Sequence, residues 1–336
     1  MGRRSAWSSA RADAASRTLR KPRWFSRVVR VASGHSSAVQ SRLVARSVEI
    51  ILDGQAASGA YAASPAFPQY RDFCWFRDGA FIAEAMSRVG ETESAERFFD
   101  WCAGIVRRSP AGPWDSRYRL DGSVDPVAWW PHRQFDGLGL WVWAMENHVE
   151  RHGVSSRWSD AAEATQVFLA QHWREPCHDW WEERSGVHAA TLGCIWAALP
   201  RDDIASSVRE TRDCERLDGS HAFLVVLGLA GVDVLAQLER TLGYHRHLED
   251  EYYGGGEWPV LAGLVGWARL VNGLDATSQR AWIESQADSG GALPEQAGER
   301  LRPALYGTWV ARWGQPAVPL LWSHAMYLIL DALLTG

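Results

Sequence analysis

The sequence lacks several features that would assign it to common protein classes. No apolar run approaches the 18 residues that a membrane-spanning helix requires, so we expect no membrane partner. The start, Met-Gly-Arg-Arg, is not followed by an apolar segment, which argues against a secretory signal. Cysteine is scarce, with five residues in 336 and no pair at C-x-x-C spacing. This argues against a zinc ribbon or a disulfide framework and predicts reduced thiols in a cytoplasmic protein.

Motifs for several kinds of catalysis are also missing. There is no G-x-S-x-G that would indicate a serine nucleophile, and no DDxxD-like motif that would indicate a terpene cyclase. One run of possible metal ligands is present, and it consists of His245, His247, Glu249, Asp250 and Glu251. Its spacing matches no zinc motif, so we interpret the run as a solvated charged loop and predict neither a metal nor a cofactor.

Charge is unevenly distributed along the chain. The net charge of -5 gives no sign of nucleic-acid binding for the chain as a whole. Residues 1–46 nevertheless hold eleven Arg or Lys against one acidic residue, Asp13. We predict that residues 1–35 form a disordered extension, with a transit peptide, a nucleic-acid-binding arm or a misassigned start codon as alternatives.

Helical periodicity dominates the rest of the sequence, and β alternation is nearly absent. Only short pieces around 59–69 and 114–124 could form hairpins. Long loops rich in Trp, Gly and Pro alternate with short charged loops, which favours a toroid of paired inner and outer helices with the long loops gathered at one end as a pocket. We therefore predict an all-α fold with residues 36–336 as a single domain. The predicted helices are 37–53, 79–90, 93–108, 137–151, 156–173, 187–199, 202–215, 221–242, 257–272, 276–288 and 319–334.

Tryptophan is abundant, with 20 residues in 336, and two Trp- or Pro-flanked segments place carboxylates outside the clear helices. Indole rings stack on sugar faces, and glycoside hydrolysis uses two carboxylates. Glu182 and Glu183 follow two tryptophans, and a carboxyl packed against indoles should have a raised pKa, as a general acid needs. Glu295 lies in Leu-Pro-Glu-Gln after a double Gly, which fixes the backbone as a general base requires. Both segments also have ordinary interpretations, as first-turn acids of a helix or an exposed loop carboxylate.

Three further segments combine charged and aromatic residues. Arg77 and Asp78 could bind sugar hydroxyls through charge-assisted hydrogen bonds, although Asp78 could instead cap the following helix. Asp136 in segment 129–137 is open to the same two interpretations. The glycines of segment 252–259 would let the backbone approach a ligand, or form a flexible turn. Together these segments offer the candidate substrate-binding residues Trp75, Arg77, Asp78, Trp130, Gln134, Asp136, Trp181, Glu183, Tyr253 and Trp258.

Six segments occur in the order seen in glycoside hydrolase family 15, which includes glucoamylases, glucodextranases, some trehalases and isomaltose glucohydrolases. The resemblance covers roughly residues 55–335. It implies an (α/α)6 barrel and exo-acting, metal-independent hydrolysis of α-glucosidic bonds with inversion. The segments are WFRDG (75–79), QFDG (134–137), WWEE (180–183), YYGGGEWP (252–259), LPEQ (293–296) and PLLWSHA (319–325).

The resemblance also implies roles for individual residues. Glu182 resembles the general acid of the family and Glu295 its general base, and Glu183 resembles the substrate-binding neighbour of the acid. Arg77 and Asp78 resemble the pair that holds the glucose unit at the non-reducing end.

Substrate preference follows from the family pattern only in outline. The sequence shows no N-terminal β-sandwich domain, starch-binding module or secretion signal, which makes it more similar to isomaltose glucohydrolases than to starch-digesting members. We predict an inverting α-glucosidase that releases glucose from isomaltose, isomalto-oligosaccharides or malto-oligosaccharides, with small oligosaccharides as its partners. The alternatives are an α,α-trehalase of the same family, a phosphorylase on the same fold, or a non-catalytic sugar-binding protein.

Overall fold

The computed structural model describes residues 38–154 and 157–335, so the predicted extension 1–35 lies outside the described residues. In this part of the chain, six short strands form three two-stranded antiparallel sheets, and the remaining elements are helices, which confirms the all-α class. The helices are α1 (Ala38–Asp53), α2 (Phe76–Arg88), α3 (Thr92–Arg108), α4 (Asp136–His152), α5 (Ser159–His172), α6 (Ala189–Ala198), α7 (Asp202–Cys214), α8 (His221–Val226), α9 (Val232–Thr241), a 3-10 helix (Tyr252–Gly254), α10 (Pro259–Val271), α11 (Thr277–Ser285), α12 (Pro303–Trp313) and α13 (Leu321–Thr335). The strands are β1 (Phe73–Trp75), β2 (Arg117–Arg119), β3 (Cys177–His178), β4 (Ser185–Gly186), β5 (Gly256–Glu257) and β6 (Ala297–Arg300).

Six helices form a closed inner ring in the order α2, α4, α6, α8, α10 and α13, and α13 packs back against α2. The apolar sequences of α6, α8, α10 and α13 explain their position, because a helix that is apolar on most sides is stable only when it is buried on most sides. All ten residues of α6 are buried, for example. The remaining partners α1, α3, α5, α7, α9 and α11 pack outside this ring, which confirms the (α/α)6 architecture.

The long connections all lead from an outer helix to the next inner helix. The short connections run the other way, as at 89–91 and 199–201. Every inner helix therefore begins at the same end of the ring, where the long loops gather as predicted. The helix N-termini there carry unpaired N–H groups and the positive end of the helix dipole.

The structure corrects two helix predictions. The predicted helix 221–242 is two helices, α8 and α9, because Gly228 adopts a left-handed φ of 71° and turns the chain between them. The predicted loop 289–318 contains α12, whose start at Pro303 matches the preference of proline for the first helical turn. The abundance of Gly and Pro in this stretch concealed it.

The predicted hairpins are replaced by pairing between loops. β1 pairs with β2, which joins the loop before α2 to the loop before α4. Segment 114–124 contributes β2 and a single bridge between Tyr118 and Val124, whereas segment 59–69 contributes only the bridge from Tyr61 to Gln55. The β1–β2 and β5–β6 pairs thus tie neighbouring long loops together at the end of the ring where the inner helices begin, whereas β3 and β4 pair within one loop.

The described helices and cysteines agree with the absences seen in the sequence. Within residues 38–154 and 157–335, no helix has the length and apolar character needed to cross a membrane. All five cysteines are free thiols, and only Cys214 is exposed.

The inner ring is packed closely enough to require glycine at some contacts. A Cβ atom added to Gly139 in α4 would lie 2.2 Å from the backbone oxygen of Cys194 in α6. We expect Gly139→Ala to lower the free energy of unfolding by about 1–3 kcal/mol, because the two backbones must move apart. Chemical denaturation measures this effect. The matched variant Gly104→Ala has open space around its Cβ in α3 and should leave stability unchanged or slightly raised, so equal effects would contradict the interpretation.

Candidate active site

A cavity of about 740 Å³ opens among the long loops at the N-terminal ends of the inner helices. This volume is in the range of about 300–1,000 Å³ that is typical of small-molecule sites. Aromatic rings supply much of its wall. Nine of the residues predicted from the sequence line it together: Trp75, Arg77, Asp78, Trp130, Trp181, Glu182, Glu183, Trp258 and Glu295.

Glu182 lies in the tight turn that joins β3 to β4, and not in the first turn of a helix. Its backbone has a φ of 63°, which is unusual for a residue with a side chain. The buried Asp179 holds this turn, because its Oδ1 accepts the backbone N–H groups of Glu183 at 2.9 Å and Arg184 at 3.3 Å. The strained backbone aims the Glu182 carboxylate into the cavity, and such strain persists only where the surroundings impose it.

The Glu182 carboxylate is fixed through one oxygen. Oε1 accepts hydrogen bonds from Trp75 Nε1 at 2.7 Å and from Gln134 Nε2 at 2.9 Å. Arg77 Nη2 is 3.8 Å from the same oxygen. Among the described residues no donor reaches Oε2, so that oxygen is available to a ligand.

Glu295 is a buried carboxyl, 2% exposed, and not an exposed loop residue. Its backbone N–H bonds to Ala317 O at 2.8 Å. The Tyr70 hydroxyl donates to Oε1 at 3.1 Å and the Tyr252 hydroxyl to Oε2 at 3.3 Å. Burial raises the pKa of Glu295 to about 7, although the Tyr70 hydrogen bond and the charge of Arg246 lower it.

Arg77 and Asp78 occupy the first turn of α2, so Asp78 is not the cap of that helix. Arg77 Nη1 donates to Gln134 at 2.7 Å and to Asp136 at 2.8 Å. Arg77 Nε and Asp78 Oδ1, 3.5 Å apart, are buried without a hydrogen-bond partner. Since buried polar atoms are nearly always paired, these two atoms are suited to bind hydroxyl groups of a ligand. Burial also raises the pKa of Asp78 to about 7, against the opposing charge of Arg77.

Three predicted substrate-binding residues do not line the cavity. Gln134 and Asp136 lie behind Arg77, and Gln134 also contacts Glu182, so they hold other site residues. Asp136 lies in the first turn of α4 and is not its cap. Tyr253 packs against Trp309 at the back of the wall, and its neighbour Tyr252 faces the cavity instead.

The glycines after Tyr253 serve chain packing rather than ligand approach. A Cβ at Gly254 would lie 2.7 Å from Arg302 O, and one at Gly255 would lie 2.5 Å from Asp250 O. Both have left-handed φ angles. They allow two stretches of backbone to meet.

The charged run after residue 244 is partly buried, so its interpretation as a solvated loop is wrong. Arg246, which the sequence reasoning missed, is buried and donates to Asp250 at 2.6 and 2.8 Å and to Glu183 at 2.7 Å. His247 Nε2 lies 2.8 Å from the second oxygen of Glu183. The sequence did offer a signal for this residue, since it is the one arginine in a run that otherwise consists mainly of histidines and acids.

The same contacts determine the pKa of Glu183. Burial alone would raise the pKa of Glu183, but the His247 hydrogen bond and the charge of Arg246 lower it to about 2. The raised pKa that indole packing predicted for one carboxyl of this pair is therefore not found at Glu183. Atoms of Glu183, His247 and Asp250 lie within 4.8 Å of one another, as metal ligands would. The Arg246 guanidinium already supplies a positive charge to both carboxylates of that group.

Comparisons with known proteins show which proteins this chain resembles. Residues 38–222 match the family model described as Glycosyl hydrolases family 15. The isomaltose glucohydrolase of Kribbella flavida is 35% identical, over 88% of this chain and 93% of the relative. A solved glycosidase in complex with glucose is 35% identical with a TM-score of 0.81, and covers 89% of this chain and 99% of its own. A bacterial glucoamylase complexed with acarbose, 20% identical with a TM-score of 0.66 over 89% of this chain and 56% of its own, shares the fold.

The Arg246 network generates a stability prediction. Replacing Arg246 by Ala leaves the carboxylate of Asp250 buried without its cation, so we expect a loss of about 3–5 kcal/mol in the free energy of unfolding. Urea denaturation measures it. The control is Arg107→Ala, which removes an exposed pair with Asp160 and an exposed hydrogen bond to Arg157 O and should leave the midpoint nearly unchanged. Similar urea midpoints for the two variants would show that the buried Arg246 network contributes no more to the free energy of unfolding than the exposed pair does.

Proposed function

Because this chain belongs to glycosyl hydrolase family 15 and is an exo-acting glucosidase, we propose that it releases glucose with inversion from the non-reducing end of short α-glucosides. Isomaltose and isomalto-oligosaccharides are the first candidates, since a relative of similar length is named for isomaltose. The proposal rests on one observation: Glu182 and Glu295 line the same aromatic cavity from loops more than a hundred residues apart.

The glucosyl unit binds at the deep end of the cavity. Arg77 and Asp78 hold its hydroxyls through Arg77 Nε and Asp78 Oδ1, which have no hydrogen-bond partner among the described residues. Trp180 and Trp322 line the cavity beside them and offer apolar faces to the sugar ring. This orientation brings the glycosidic bond between the two glutamates, and positioning of this kind supplies much of the rate of an enzyme.

Glu182 acts as the general acid. Trp75 and Gln134 both donate to Oε1, so the proton for the glycosidic oxygen is carried by Oε2. As the bond to C1 breaks, that proton moves to the leaving oxygen. The departing sugar then leaves as a neutral alcohol, which lowers the barrier to cleavage.

Glu295 acts as the general base on a water molecule. Tyr70 and Tyr252 orient its carboxylate, and the water is held against it on the side of C1 away from the leaving group. Glu295 takes one proton while the water oxygen bonds to C1 with inversion. Solvent then returns this proton to Glu182. Inverting enzymes need about 6.5–9.5 Å between the two carboxyl groups to admit the water.

The direct test follows the first product formed from isomaltose, maltose, panose and trehalose by NMR. Inversion at an α-linkage releases the non-reducing glucosyl unit as β-glucose. Panose shows this directly, because its second product is a disaccharide and the glucose formed at first comes only from that unit. Glu182→Gln and Glu295→Gln should each lower kcat by about 10²–10⁴-fold while glucose still quenches tryptophan fluorescence.

The two variants should differ on α-glucosyl fluoride. Fluoride leaves without a proton, so Glu182→Gln should retain far more activity on it than Glu295→Gln does. Initial release of α-glucose from panose, or near-normal rates for either variant on disaccharides, would contradict the proposed roles.

The pH dependence follows from the Glu295 pKa of about 7. The base acts only when it is ionised, so kcat/KM should fall as the pH drops below about 7. Tyr70 stabilises the ionised form by donating a hydrogen bond, so Tyr70→Phe should raise the pKa and move this acidic limb to higher pH. Asp78 has a pKa in the same range but no hydrogen bond from Tyr70. A limb that stays in place in Tyr70→Phe would assign the titration to a group other than Glu295.

A further inference from the structure

Helix α12 is the one described helix that is mostly apolar and yet has no buried residue. Its sequence, PALYGTWVARW, carries a single charged side chain, Arg312. A helix of this composition normally packs into a core. Exposed apolar surface on a folded protein commonly marks a place where something binds.

The aromatic side of α12 faces the cavity. Trp309, Arg312 and Trp313 have i, i+3 and i+4 spacing, which puts them on one face of the helix. All three line the same cavity as Glu182 and Glu295. The surface therefore faces whatever occupies the cavity.

The helix is fastened beside the proposed base. β6 follows Glu295 almost directly, and Arg302 then bonds through its backbone N–H to Gly254 O at 2.8 Å and through Nη1 to Leu248 O at 2.7 Å. The Trp309 ring packs against Tyr252 with ring centres 5.0 Å apart. These contacts hold α12 in a defined position relative to Glu295.

Exposure places α12 at the mouth of the cavity. Arg77 at the deep end is 5% exposed, whereas Arg312 is exposed and Trp313 is half-buried. A second aromatic segment reaches the cavity from the loop before α4, where Trp129 is 74% exposed. With a glucosyl unit in the deep end, the next sugar of the substrate must pass these side chains.

We propose that α12 is the acceptor-side wall of the site, and that Trp313 and Arg312 select the sugar unit that leaves. The inference rests on the proposed function and adds to it the residues that determine specificity. Trp313 offers an apolar face on which a pyranose ring stacks, and Arg312 donates hydrogen bonds to its hydroxyls. Because this wall belongs to a pocket, the substrates that bind more tightly through it are short glucosides of two or three units.

The test compares a substrate that has an acceptor sugar with one that lacks it. In Trp313→Ala, kcat/KM for the disaccharide that the unchanged enzyme cleaves fastest should fall about three- to ten-fold, as expected for one lost aromatic contact. For α-glucosyl fluoride, which fills only the deep end, kcat/KM should not change. Trp313→Phe should recover most of the disaccharide activity.

Thr308→Ala is the matched control, since Thr308 is exposed on the same helix and does not line the cavity. It should leave both substrates unaffected, and circular dichroism checks that every variant is folded. Equal losses on both substrates would show that α12 supports the base instead, and no loss on either would show that the acceptor does not touch it; both outcomes overturn the inference. If the unchanged protein hydrolyses neither substrate, the proposed function fails and this inference fails with it.

Discussion

Two buried guanidinium groups organise the charge of the whole site. Arg77 pairs with Asp136, and Arg246 pairs with Asp250 and Glu183, so each of these carboxylates lies beside a cation. Carboxylates are costly to bury unless a cation and hydrogen bonds compensate them.

Glu295 has no guanidinium in contact with its carboxylate among the described residues. Glu295 receives only two tyrosine hydroxyls, and burial raises its pKa to about 7, whereas Glu183 beside Arg246 and His247 falls to about 2. Enzymes obtain groups that titrate near neutral pH by separating similar side chains into different surroundings in this way. The ring of inner helices makes the separation possible, because it presents one loop from each helix pair to a single enclosed space.

Sequence reasoning was most accurate where a pattern is local. Helical periodicity and the alternation of long and short loops predicted the inner and outer helices and the pocket end, and the order of the motifs predicted the family. The prediction of one helix over residues 221–242 was wrong, because one left-handed glycine divides a continuous apolar pattern. The prediction of a loop at α12 was also wrong, because Gly and Pro concealed the helix. Tyr253 was chosen over Tyr252 because the two neighbours look alike in sequence, and only packing decides which ring faces inward.

The amino-acid sequence by itself determined which helices must be buried, and therefore the toroid, and it supplied two glutamates in Trp- and Pro-flanked segments. Tertiary structure alone decided that Arg246 meets Glu183, that Tyr70 reaches Glu295 from 225 positions away, and that α12 closes one side of the cavity. Helix formation responds to neighbours within a few residues along the chain. Charge, burial and hydrogen bonding depend on groups that only the folded chain brings within a few ångströms, so the chemistry of the site is not contained in any one segment.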